Sequence, residues 1–272
     1  MARSRSLTAA KLTSSVQGRD RTSNQLLEPA RYPVLDIARG AAVVWMTAFH
    51  FAFDLNHFGY IQQDFYRAPL WTVQRTCILS LFLFCAGFGQ AIAVYSGQTW
   101  ARFWRRWTHI ALCALAVSVG SALMFANSWI YFGVLHGMAV MLIVCRATAS
   151  LGPWLWLLGT VAVVLGVFAP NLHAAFSLPH ELDFKTLNWL GLVSRKPITE
   201  DYVPLLPWLG VMWWGMAAGQ AALAKGLMDR RLTEQTTRRL VPLAWVGRWS
   251  LSWYMLHQPL LIGALTLVSG LR

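Results

Sequence analysis

The sequence predicts an all-α protein, a polytopic transmembrane helical bundle of about seven spans with its N-terminus cytoplasmic. Three observations predict it. The chain is 56% hydrophobic and only 12% charged, against roughly 45–50% and about 25% in soluble globular domains. Its apolar residues gather into stretches near the length of about 20 residues that a helix needs to cross a hydrocarbon core. Its basic residues concentrate in alternate connections, as the positive-inside rule requires. The same composition excludes disorder and coiled coil, and four Cys in 272 residues exclude a disulfide scaffold.

Residues 1–31 are rich in Ser, Thr, Arg and Gln and carry no apolar region of the kind a signal peptide needs. They read as a disordered cytoplasmic tail, followed by a transmembrane domain over 32–272 whose first helix is an uncleaved anchor. Seven apolar stretches follow, near Val34–Leu55, Val73–Tyr95, Trp107–Phe125, Ile130–Cys145, Trp154–Ala169, Pro204–Ala224 and Leu243–Val268. The fourth is short and contains Gly, which suits a tilted span or one extended by Trp129 and Arg146. The last is long enough to begin as an interfacial helix before it enters the membrane. With the N-terminus inside, fifteen Lys and Arg fall on inside segments and only five outside: Arg67, Lys185, Arg195, Lys196 and Arg272. That bias puts the C-terminus outside. It also accounts for most of the net charge of +12 through the lipid bilayer, with no nucleic acid.

Cys77, Cys85, Cys113 and Cys145 lie in apolar spans without metal-type spacing, so they read as small core or lipid-facing residues. No Walker loop, dinucleotide fingerprint or His-x-x-x-His pattern occurs, and no metal is expected. Ionisable residues inside spans are costly, so each marks a functional candidate. They concentrate in the first span as Asp36, Arg39, His50 and Asp54, with His57 just beyond. Steps of three and four residues lay these on one helical stripe, a polar seam across much of the membrane. Asp36 and Arg39 also read as an intrahelical pair at the membrane edge, with Arg39 snorkelling. His50 alone reads as a satisfied core histidine. With Asp54 one turn on to orient its imidazole, it reads as a catalytic or proton-relay group. Arg75, His136 and His257 are the other buried polar candidates, and three histidines on three helices suit a shared polar cavity. Pro259 is positioned to kink the last helix just after His257.

At these residues the sequence resembles a known superfamily. Asp36-Ile-Ala-Arg-Gly40 with His50 eleven residues after Arg39 is similar to the acyltransferase-3 pattern. Tyr131-Phe-Gly-Val-Leu-His136, the run Tyr202 to Gly210, and the run Gly247 to His257 resemble something narrower. They look like bacterial relatives of the heparan-α-glucosaminide N-acetyltransferase catalytic domain. The likeness covers about Arg31 to the C-terminus; this chain has fewer apparent spans than the animal enzyme and no luminal domain. The resemblance implies transfer of an acetyl or other acyl group from cytoplasmic acyl-CoA to a sugar or glycan-like hydroxyl or amine at the outer face, in a bacterial inner membrane. The implied catalytic residues are His50, as general base or transient acyl carrier, and Asp54. Arg39 and Asp36 are implied at the acetyl-CoA site, and Arg75, His136, Tyr254 and His257 as substrate-binding or supporting residues. The segment from Asn171 to Val203, with His173, His180, Glu181, Asp183, Trp189 and Tyr202, suits either sugar binding or a structural lid. Two other function classes compete: a proton-coupled transporter, in which the seam conducts, and a non-catalytic membrane scaffold, in which it tolerates replacement.

Overall fold

A computed structural model describes residues 32–228 and 240–271; the expected disordered tail lies outside the described residues. The structure is all-α, with nine α-helices and no strand among those residues. One isolated bridge joins Phe132 and Tyr202. The helices are α1 (Pro33–His57), α2 (Pro69–Tyr95), α3 (Trp100–Met124), α4 (Val134–Ala147), α5 (Trp154–Val167), α6 (Ala169–Phe176), α7 (Leu205–Ala224), α8 (Val241–Arg248) and α9 (Ser250–Gly270). Each of the seven apolar stretches overlaps at least one of them. By length and composition α1, α2, α3 and α9 are able to cross a bilayer, and a fifth span results if α5 and α6 count as one.

Local chemistry sets the ends. Proline sits in the first turn of α1, α2, α6 and α8, where its missing N–H costs nothing. Thr99 caps α3 by accepting from the Arg102 N–H. The turns after α1 and α2 pass through Gly59 and Gly97, both at positive φ (77° and 68°), where a side chain would strain the backbone. Two expected spans are broken. The fifth bends by 66° between α5 and α6, where Pro170 falls in the first turn of α6. The last divides at Trp249, and α8 packs along α1. Pro259 does not break α9, which runs on to Gly270. The fourth helix begins at Val134, so α4 has only 14 residues.

In lipid, helices associate by close packing rather than by hydrophobic contrast, and small residues let backbones approach. Gly87 on α2 faces the Met212 carbonyl of α7, and Gly215 on α7 faces the Phe84 carbonyl of α2. Gly40 of α1 meets Leu243 of α8, and Gly247 of α8 meets Asp36 of α1. Around these contacts Leu83, Met141, Cys145, Leu155, Met212 and Met216 form the main core between α2, α4, α5 and α7. A smaller cluster of Met46, Phe49, Phe65 and Ile78 lies between α1 and α2, with Tyr254 of α9 against it.

Candidate active site

A polar ladder joins α1 to α9. The Trp253 indole N–H donates to Thr47 Oγ1 (2.9 Å), His50 Nδ1 meets His257 Nε2 (2.7 Å), and the Gln258 amide donates to Asp54 Oδ1 (2.8 Å). Residue numbers rise together along both helices, so α1 and α9 run parallel. The two imidazoles lie within 11° of parallel with centroids 5.0 Å apart. With nitrogens at 2.7 Å, that separation makes the contact an in-line N–H···N bond rather than a face stack.

The partners fix the tautomers. His257 Nδ1 lies 2.8 Å from the Tyr254 carbonyl and 3.1 Å from that of Trp253. Carbonyls only accept, so Nδ1 carries the proton and Nε2 of the neutral ring accepts. His50 Nδ1–H therefore donates to it, and the lone pair of His50 is left on Nε2, to which no described residue is bonded. The local sequence explains why His257 serves this way. One turn earlier in a helix, the carbonyls of residues 253 and 254 point toward position 257, and the histidine is itself buried (6% exposed).

The expected partner of His50 was Asp54, and the structure corrects this. The Asp54 carboxylate turns toward α9 and pairs with Gln258 instead of His50; His257 is the group that orients the ring. The expected convergence of three histidines becomes a convergence of two. His136 lies apart on α4, where Nδ1 accepts from the Gly133 N–H (3.3 Å) and Nε2–H donates to Ser118 Oγ (3.0 Å). Ser118 in turn donates to the Ile130 carbonyl (2.7 Å). Both ring nitrogens of His136 are thus committed to bracing the start of α4 against α3.

Toward the other end of α1, Arg39 Nη2 donates to the Cys85 carbonyl (3.4 Å), and Nη1 lies 3.7 Å from Asp36 Oδ1. Asp36 Oδ2 is also 3.7 Å from Arg248 Nε. Asp36 is held between two guanidinium groups, so its place is as a brace for Arg39 rather than a contact for an anionic ligand. Arg39 itself lines a cavity of about 250 Å³ with Gln90, Gln98 and Arg106. The cavity continues between Phe82, Trp107, Leu135 and Met138 to Tyr254. Arg106, Gln90 and Gln98 were missed in the sequence, where nothing but a cytoplasmic count distinguished Arg106 from its neighbours. Gln258 and Trp253 were also missed, although Gln258 directly follows His257 and Trp253 lies one turn before it.

Beyond the His57 end, the segment from Ser177 to Val203 is stitched to residues 128–134. Thr199 Oγ1 donates to the Trp129 carbonyl, the Glu200 N–H to that of Ser128, and the Val203 N–H to that of Phe132. Asp201 Oδ2 accepts from the Val134 N–H at 2.7 Å and caps α4. Burial pushes the Asp201 carboxyl up, opposed by that bond and by Lys196 and Arg75 nearby. Arg75 stands exposed on α2 and forms no ion pair with a described residue. Asp183 accepts both the N–H and the hydroxyl of Ser194 (2.8 and 2.9 Å). Partial burial acts to raise its carboxyl, but those bonds, with His173 and Arg195, hold it below its ordinary value. His173 bonds the Leu192 carbonyl, Trp189 that of Thr186, and Tyr202 that of Asn188. These groups are spent on local folding, whereas the side chains of His180 and Glu181 stand exposed and form no hydrogen bond with a described residue.

No group of metal-binding side chains occurs among the described residues. No curated protein and no solved structure matches the chain. A family model does, that of the heparan-α-glucosaminide N-acetyltransferase catalytic domain, over residues 31–259. That match takes in α1 through about the first half of α9, with both histidines of the pair and the whole lining of the cavity, and the chain belongs to this family of membrane acetyltransferases.

Proposed function

We propose that the protein takes an acetyl group from acetyl-CoA at the Arg39 end, on the cytoplasmic side, and transfers it to the hydroxyl or amine of a sugar-like acceptor at the outer face. The observation that carries this is a base with its lone pair free, His50 Nε2, held by His257 beyond a cavity whose opposite end holds Arg39 and Arg106. Guanidinium groups suit phosphate oxygens, which they bind through paired N–H donors. An apolar passage beyond them suits a pantetheine arm, and Asp36 keeps Arg39 extended toward it.

The reaction follows from the tautomers. His50 Nε2 takes the proton from the acceptor as its oxygen or nitrogen bonds to the acetyl carbon. The resulting imidazolium is stabilised through Nδ1–H donated to His257, whose own Nδ1–H rests on backbone carbonyls. Collapse of the tetrahedral species breaks the C–S bond, and the His50 proton passes to the departing thiolate. General-base assistance of this kind is worth roughly 10²–10⁴-fold in rate. The test is turnover of acetyl-CoA by the purified protein in detergent, with and without amino sugars. CoA release that needs an acceptor, with a higher KM for acetyl-CoA in Arg39→Ala, is the expected result. A burst of CoA without acceptor would replace direct transfer by an acyl-histidine route. Solute flux with no CoA requirement would make the protein a transporter.

A further inference from the structure

Tyr254 occupies a position that the ladder does not explain. Its ring lines the cavity, packs against the Met46 and Phe49 cluster of α1, and lies with its centroid 5.9 Å from that of His257. Its backbone carbonyl holds His257 Nδ1–H. Its hydroxyl is hydrogen-bonded to no described residue. The side chain is half-buried, and its O–H keeps its donor capacity for a ligand in the cavity.

The distribution of polar groups around the cavity gives the hydroxyl a meaning. Arg39, Gln90, Gln98, Arg106 and Ser250 are its other polar lining residues apart from Trp107. Arg39, Gln98, Arg106 and Ser250 lie at or near the helix ends on the Arg39 side, and Gln90 lies one turn from the end of α2. Trp107 has its indole N–H committed to the Ala139 carbonyl (2.8 Å). Past them the walls are apolar, formed by Phe82, Ile110, Leu135, Met138 and Leu142. Tyr254 is the lining donor that remains, one turn before His257 on the same helix, where the cavity comes closest to the pair. An acyl group arriving by this route passes Ser250 and then meets the Tyr254 O–H, the lining hydroxyl one turn nearer to His257.

We infer that the Tyr254 hydroxyl donates a hydrogen bond to the carbonyl oxygen of the bound thioester and carries the negative charge that develops there. The inference rests on the acetyltransferase reading. As the acceptor attacks, the carbonyl π pair moves onto oxygen, where Tyr254 O–H holds it. The pair returns as the C–S bond breaks, and Tyr254 keeps its proton throughout. A donor aimed at such an oxygen in a water-poor site contributes roughly 10²–10³-fold to kcat. Tyr254 is then a catalytic residue in its own right, beside the base.

Tyr254→Phe removes one oxygen and keeps the ring, so packing against Met46 and His257 survives. The expected result is a fall in kcat of about 10²-fold or more with the KM for acetyl-CoA little changed. A second measurement is independent of turnover. With acetyl-CoA labelled with ¹³C at its carbonyl and bound to His50→Ala, isotope-edited infrared difference spectra should show the C=O stretch lowered from its free value. Adding Tyr254→Phe should return it toward that value. Wild-type kcat in Tyr254→Phe, or a KM effect alone, or an unmoved carbonyl band overturns the proposal while leaving the acetyltransferase reading intact. Wild-type protein inert toward acetyl-CoA overturns both.

Discussion

His50 gains its role from a neighbour 207 positions away. His50→Ala is expected to fold, insert and retain at most about one per cent of wild-type transfer, because the general base is lost. His257→Leu leaves the His50 Nδ1–H unpaired and both tautomers open, so its activity should fall between those of wild type and His50→Ala. His257→Gln keeps an acceptor for that N–H and should recover part of the loss. Asp54→Asn should cost only a few-fold, since Asp54 touches Gln258 and not the base. Initial rates, measured after equal elution in detergent size-exclusion has been verified, order these four variants. A His257→Leu enzyme as fast as wild type would remove His257 from the mechanism. The sequence made His50, Arg39 and His257 legible because charges and imidazoles in apolar spans are rare. It misassigned the partner because Asp54 lies one turn from His50 in sequence. Helical spacing shows only what shares a face, and His257 reaches across from another helix.

At the scale of elements, the helices were legible from apolar length, and their breaks only in part. The 66° turn into α6 comes at the end of the fifth stretch, and hydropathy carries no signal of its angle. The length of the last stretch allowed a separate first helix, but did not place its division from α9 at Trp249. The functional consequence of the second break is direct: it lets α8 pack on α1 around Asp36 while α9 brings His257 to His50. Close packing also makes a quantitative prediction. Gly215→Val places a side chain on the Phe84 carbonyl, and overpacking of this kind costs about 1–3 kcal/mol. Gly120→Val on α3 meets nothing within 4 Å and should be near neutral. Thermal unfolding in detergent should lower the midpoint of the first variant and spare the second. Equal midpoints would mean that α2 and α7 do not rely on the glycine contacts.

For the whole molecule, the parallel course of α1 and α9 requires that the chain end on the face opposite to Pro33. We propose that this face is the outer one, since fifteen cations against five favour a cytoplasmic N-terminus. Reporter fusions after Leu271 are expected to be active only outside, and fusions ahead of Pro33 only in the cytoplasm. Activity of both on one side would refute the parallel arrangement. The same helix α1 carries both Arg39, the proposed anion contact, and His50, the proposed base, eleven residues and therefore about 16 Å apart. A rigid rod with both contacts fixed to it measures its substrate, since a donor must be long enough to touch both marks at once. Acetyl carried on N-acetylcysteamine, which stops short of the phosphates, should react more slowly than acetyl-CoA and should be indifferent to Arg39→Ala. Acetyl-CoA, cut loose from the far mark by that substitution, should fall toward the rate of the short donor.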